Sequence, residues 1–211
     1  MSVEPSRQRR SAARNGTTPP LQAVRQAAGA MIFLIALMWA LEVVDTARGG
    51  VLDNWGVSPR DPNELPDIFT APFLHTSFDH LAANTLPLLI LGFLTAVRGL
   101  GRFIMISFII VVVSGAGVWL VADANTVHLG ASGLVFGYFG YLVARGVLDR
   151  RLRDLLIAVV VVLVYGVAVL AGIAPGQRGI SWEAHFFGLL GGVLAAWWLR
   201  RRPGRPGAAD G

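Results

Sequence analysis

Apolar residues fall into six long runs separated by short polar stretches, over about 28–46, 72–97, 103–121, 130–145, 155–171 and 183–199. Runs of this kind predict membrane helices, for which about 20 apolar residues cross the hydrocarbon core. The fourth run, about 16 residues long, falls short of that and is expected to start below the surface. The first run could pass for a signal peptide, but it carries Glu42 and Asp45 at its far end and lacks a small-x-small cleavage site there. The expected organisation is a disordered arginine-rich cytoplasmic tail over 1–27, a six-helix membrane domain over 28–200 and a short cytoplasmic tail over 201–211. The segment 47–71 carries Asp53, Trp55, Arg60, Asp61, Glu64, Asp67 and three prolines, and reads either as a loop packed on the bilayer surface or as a plain connector.

Composition settles the solvent. Hydrophobic residues make up 54% of the 211 and charged residues only 15%, with a mean hydropathy of +0.58, which defines an all-α polytopic membrane protein. The 18 basic residues are all arginine and the net charge is +5. With the N-terminus inside, fifteen of them fall on inner segments and only Arg48, Arg60 and Arg178 on outer loops. That bias follows the positive-inside rule, places both termini in the cytoplasm and accounts for the basic balance without nucleic acid. The absence of cysteine excludes disulfides, thiolate catalysis and cysteine-bound metals. No internal repeat signals the inverted halves of many transporters.

Polar residues then sort by depth. His80 and Asn84 share a face of the second helix, Ser132 opens the fourth and His185 lies near the start of the sixth, all in the outer third of the bilayer. Each has a structural reading. Gly130-Ala131-Ser132-Gly133 with Gly137 is a small-residue packing pattern, and Leu134 stands where the nucleophile elbow of soluble hydrolases has glycine. Asn84 could be interhelical glue, and His75 and His128 fit structural hydrogen bonds or the headgroup layer. Together, however, the four residues supply what acyl transfer needs: a hydroxyl, a base and donors for an oxyanion. Gly188, Gly191 and Gly192 follow His185 and let helix 6 approach the glycine face of helix 4, which makes His185 the expected base for Ser132. His80, Asn84 and the Ser132 backbone N–H are the expected oxyanion donors, the last at a helix N-terminus that favours negative charge. Asp79 points to another face and Asp123 lies in a loop, so a Ser-His dyad is the economical reading.

His80-x-x-x-Asn84, Gly-x-Ser-Gly at 130–133 and Ala184-His185-x-x-Gly188-x-x-x-Gly192 resemble, in order and spacing, the three signatures of rhomboid intramembrane serine proteases of the basic six-helix bacterial type. The resemblance implies Ser132 as nucleophile, His185 as base, and His80 and Asn84 at the oxyanion hole, with Gly130, Gly133, Phe136, Gly188 and Gly192 packed around the site. It implies transmembrane protein substrates cut in or near the outer part of their spans, entry past helix 5, and residence in the bacterial inner membrane with the site on the extracytoplasmic side. Water would reach Ser132 through an opening lined by His80, Asn84 and Asn125. Two departures stand out: Trp55 and Arg60 are separated where many members have a Trp-Arg pair, and Phe136 replaces a frequent tyrosine. No His-Glu-x-x-His motif or pair of mid-membrane aspartates offers a rival protease chemistry, and neither metal nor cofactor is expected. A non-catalytic rhomboid-like binding or quality-control protein is the alternative; the oligomeric state has no signature in the sequence.

Overall fold

The computed structural model describes residues 20–200 apart from 178. Six α-helices carry the fold: α1 Pro20–Ala47, α2 Phe78–Ala96, α3 Leu100–Val121, α4 Ser132–Asp149, α5 Leu152–Gly172 and α6 Trp182–Trp198. Among the described residues there is no strand, only an isolated antiparallel bridge between Val57 and His128. Four helices, α1, α2, α3 and α5, are long and apolar enough to cross a membrane.

α4 is the centre of the bundle. α6 and α5 pack on it most extensively, with α2 and α3 also against it. Its Tyr138 and Tyr141 are fully buried. A helix surrounded by protein needs no lipid-facing stripe, so α4 tolerates tyrosine, glycine and Arg145 where an outer helix would carry leucine and valine. The outer surfaces do carry such residues: Phe33 on α1, Leu86 on α2, Phe108 on α3, Val167 on α5 and Trp198 on α6 are all exposed. Apolar side chains turned outward around a buried polar centre are the arrangement a bilayer stabilises.

Several boundaries differ from the sequence expectation. α1 begins at Pro20, not near 28, because Pro-Leu-Gln-Ala-Val-Arg-Gln-Ala opens with proline at a first-turn position and continues with good helix formers. Residues 21–26 stay outside the core, and Ala27 and Met31 are the first of the helix to be buried in it. The expected tail therefore shortens, and its residues 1–19, like the expected tail 201–211, lie outside the described residues. α2 starts at Phe78 instead of Pro72. Ser77 caps it, its Oγ accepting the His80 N–H at 3.2 Å, while Ala71–Phe73 form a separate single 3₁₀ turn. α4 opens at Ser132 because Gly130 has φ +125°, which a helix excludes, and it runs to Asp149.

The segment 47–71 is built into the protein. Ile68 seats against Gly115 of α3, where a Cβ would lie 2.6 Å from the Ile68 Cβ. The Trp119 indole donates to the Asp61 carbonyl at 3.0 Å, and the Arg60 N–H donates to the Trp119 carbonyl at 3.1 Å. Val57 exchanges both backbone hydrogen bonds with His128, at 2.8 and 3.0 Å, tying this segment to the loop that precedes Ser132. At the opposite end of the bundle a buried ionic network joins the helices. Asp154 of α5 pairs with Arg98 of the α2–α3 turn and lies 3.6 Å from Arg145 Nε, while Arg145 also bonds Asp149 at 2.9 Å and Tyr141 at 2.8 Å.

Candidate active site

Ser132 is the first residue of α4, and the two residues before it are held rigidly. The Gly130 N–H donates to the Ala71 carbonyl at 2.9 Å, and the Ala131 N–H donates to His75 Nε2 at 3.2 Å. Because that ring nitrogen accepts, the His75 proton sits on Nδ1. Burial, helped by the neighbouring His80, pulls the His75 pKa down to about 4. The unfolded chain takes up this proton near pH 6.5 and the folded chain only near 4, so acidification through that window removes stability. Thermal unfolding in detergent should show a fall in Tm from pH 7 to 5 that is smaller in His75→Gln; identical pH slopes in the two proteins would remove His75 as a contributor.

His80 lies over the glycine turn. A Cβ at Gly130 would come within 2.8 Å of His80 Cε1 and 3.0 Å of Nε2, so glycine is required both for its φ and for the approach of the ring. Thr76 Oγ1 lies 3.4 Å from His80 Nδ1, which leaves Nε2 free on the Gly130 side. Asn84, one turn further, spends one amide N–H on the His80 carbonyl at 3.0 Å and keeps the second.

His185 is buried in the first turns of α6, whose cap is Ser181, with Oγ accepting the Ala184 N–H at 3.2 Å. Its ring stacks on Phe136 of α4 at 3.9 Å between centroids and 10° between planes. Its Nδ1 lies 2.8 Å from the Gly172 carbonyl oxygen at the end of α5. A carbonyl can only accept, so Nδ1 carries the proton and Nε2 is left as a lone-pair base. The close approach of α6 to α4 depends on glycine: a Cβ at Gly188 or Gly192 would overlap the carbonyl oxygen of Gly133 or Gly137 respectively. No hydrogen bond joins Ser132 to His185 among the described residues. They share one cavity of about 650 Å³, which His80, Asn84 and Phe136 also line. Thr76, Asp123, Thr126, Gln177 and Glu183 add polar groups to its wall.

All four residues singled out for chemistry thus meet at one cavity. Asn125 does not line it, whereas Asp123 and Thr126 of the same exposed loop do. His128 bridges Thr126 Oγ1 at 2.8 Å and Ser181 Oγ at 2.7 Å, linking the loop before α4 to the cap of α6. Sequence reasoning had no means of finding the Gly172 carbonyl, because a backbone acceptor carries no residue signature. Among the described residues no group of three or more His, Asp or Glu side chains is placed to hold a metal ion.

An all-helical integral membrane protein with Ser132, Asn84 and three histidines, His80, His128 and His185, around one cavity is the class these features define. The Rhomboid domain description matches residues 62–202, and the chain belongs to the rhomboid family. It is 37% identical to an uncharacterized protein of Mycobacterium tuberculosis over 94% of this chain and 91% of the relative. An uncharacterized protein of Mycobacterium leprae is 38% identical over 80% of this chain and 70% of its own length. A Bacillus subtilis protein provisionally named a rhomboid protease is 27% identical over 60% of this chain and 63% of its own.

Proposed function

We propose that this protein is an intramembrane serine endopeptidase that hydrolyses peptide bonds in or near the transmembrane segments of other membrane proteins. The observation that carries the reading is the His185 ring: Nδ1–H held by the Gly172 carbonyl, stacked on Phe136, and lining the same cavity as Ser132. Six membrane crossings with both termini cytoplasmic, and a cavity open to the extracytoplasmic side, agree with the distribution of arginines. The shorter α4, of 18 residues, crosses inside the ring of the other helices, where neighbouring protein shields its ends, while α6, of 17 residues, packs on α4 and α3 and turns Leu190, Leu194 and Trp198 outward.

In this mechanism His185 Nε2 takes the Ser132 hydroxyl proton as Oγ attacks the scissile carbonyl carbon. The carbonyl π electrons move to oxygen, and the oxyanion receives hydrogen bonds from the Ser132 N–H, His80 Nε2–H and the free Asn84 amide N–H. Collapse expels the amine, which takes its proton from His185, and leaves an acyl-serine. A water in the cavity, deprotonated by His185, then attacks the ester carbon, and collapse of that intermediate breaks the bond to Ser132 Oγ, which takes the proton back from His185 as the acid leaves. The substrate must present an unwound bond, since a helical backbone hides its carbonyl carbon, and the gap between α2 and α5 along the cavity offers it a lateral entrance.

A fluorophosphonate probe tests the reading directly. Intact protein should be labelled at Ser132, and a protein that remains unlabelled belongs with non-catalytic membrane binding proteins. Removing one oxyanion donor, His80→Ala or Asn84→Ala, should slow cleavage by ~10² to 10³ while the protein stays folded. A variant that cleaves at the wild-type rate takes its residue out of the oxyanion site.

A further inference from the structure

We infer that Gly172 is a positioning residue for the base: its backbone carbonyl does for His185 what a carboxylate does in a Ser-His-Asp triad, holding the imidazole in one tautomer and one orientation. The inference rests on the protease reading above. It starts from geometry. The carbonyl at the end of α5 lies 2.8 Å from His185 Nδ1, in a buried position. Gly172 itself is buried, and a Cβ there would stand 2.5 Å from Phe136 Cζ and 3.1 Å from His185 Nδ1. The residue therefore closes the third side of the imidazole, with Phe136 covering one ring face and the α6 backbone carrying the ring. Any side chain at 172 would push α5 off the ring and the carbonyl away from Nδ1.

The chemistry assigns this contact a role beyond packing. A neutral imidazole has one donor and one acceptor nitrogen, and only the Nδ1–H form presents a lone pair on Nε2. With no carboxylate within hydrogen-bonding distance of His185 among the described residues, the carbonyl is the group that selects this form. When Nε2 accepts the serine proton, the same carbonyl receives the Nδ1–H of the imidazolium, whose charge strengthens the bond. α5 also walls the cavity with Tyr165, Ala168 and Val169. The helix that bounds the substrate space thus carries the acceptor that keeps the base competent.

A backbone acceptor is best tested by a backbone change. Replacing Ile173 with its α-hydroxy acid turns the Gly172 carbonyl into an ester carbonyl, a weaker acceptor, and leaves every side chain in place. It also removes the Ile173 N–H that donates to Val169 at 3.2 Å, so the matched control is the α-hydroxy analogue of Ala174, which removes a similar bond to Ala171 at 3.1 Å and leaves the Gly172 carbonyl as an amide. The two readouts are the rate of fluorophosphonate labelling at Ser132 and the ¹⁵N spectrum of the histidine rings above pH 8. The ester at 173 should slow labelling about tenfold relative to the ester at 174, the scale of one such hydrogen bond. It should also bring up an Nε2–H signal for His185 that the wild type and the control lack. Gly172→Ala should show the same spectrum with a larger loss of rate. Equal labelling rates for the two esters, or an unchanged His185 tautomer in both Gly172 perturbations, overturns the proposal. If wild-type Ser132 is never labelled, the protease reading fails, and the spectra still report whether the carbonyl sets the tautomer.

Discussion

His185→Ala should slow cleavage of a transmembrane substrate by on the order of 10⁴ or more, and Ser132→Ala should match it. A serine hydroxyl near neutral pH is a poor nucleophile, and its activation depends on a base that can take the proton as the bond forms. On the protease reading that base is His185, because His80 has its ring over Gly130, His75 spends Nε2 on the Ala131 N–H and His128 has both ring nitrogens engaged by Thr126 and Ser181. The double variant should be no slower than either single one, because a nucleophile without its base and a base without its nucleophile lose the same pathway. Ser132 stands at the first position of α4, one residue past its N-cap Ala131, and its side chain faces the cavity, so Ser132→Ala should unfold at the wild-type temperature. Product formation by Ser132→Ala, or losses that multiply in the double variant, would assign the reaction to other groups. Gross unfolding of Ser132→Ala would return the Gly130–Gly133 stretch to a packing role.

What the chain reveals without coordinates follows from the physics of each element. Six apolar runs are legible because a membrane helix must be apolar along its length, and helix existence accordingly survives in all six cases. Ends are less legible. Pro20 to Ala27 mixes glutamine and arginine with apolar residues, and this polarity hides helical turns whose residues 21–26 stay outside the core. The start of α2 is displaced by the Ser77 cap and by a 3₁₀ turn at Pro72, both local choices that hydrophobicity does not encode. At the site, histidine, serine and asparagine stand out because such groups are costly in a membrane, and their common depth leads to a common cavity. The contacts that orient them lie deeper: Gly172 acts through its carbonyl, and His75 acts through one hydrogen bond to a backbone N–H fifty-six residues away. Arg98 and Arg145 read as topological charges, yet the fold also uses them to enclose Asp154 at the foot of α5.

Gly192→Ala should cost more stability than any other single methyl group added to this bundle, on the order of 2–3 kcal/mol, and should abolish labelling of Ser132. The new Cβ would overlap the Gly137 carbonyl oxygen and lie 2.8 Å from the Tyr141 backbone nitrogen. These are backbone atoms of the central helix and cannot rotate away as a side chain end can. Nor can α4 retreat, because it is engaged all round: α3 crowds it beside the seam, where a Cβ at Gly133 would stand 2.7 Å from Ser114 Oγ and one at Gly137 would meet Ile110, and α5 and α2 pack against it as well. The helices must separate, and separation draws His185 on α6 away from Ser132 on α4, so folding and chemistry fail together. Gly166→Ala on α5 provides the contrast, since its Cβ would meet only Val162 Cγ1 at 3.5 Å, ordinary contact. There the loss of glycine's backbone freedom should leave stability unchanged or raise it by about 0.5–1 kcal/mol. Thermal unfolding in detergent, read beside fluorophosphonate labelling, separates the two cases. If Gly192→Ala unfolds at the temperature of Gly166→Ala, the α4–α6 seam has room that the close approach denies, and the distance from Ser132 to His185 must be set by something other than these glycines.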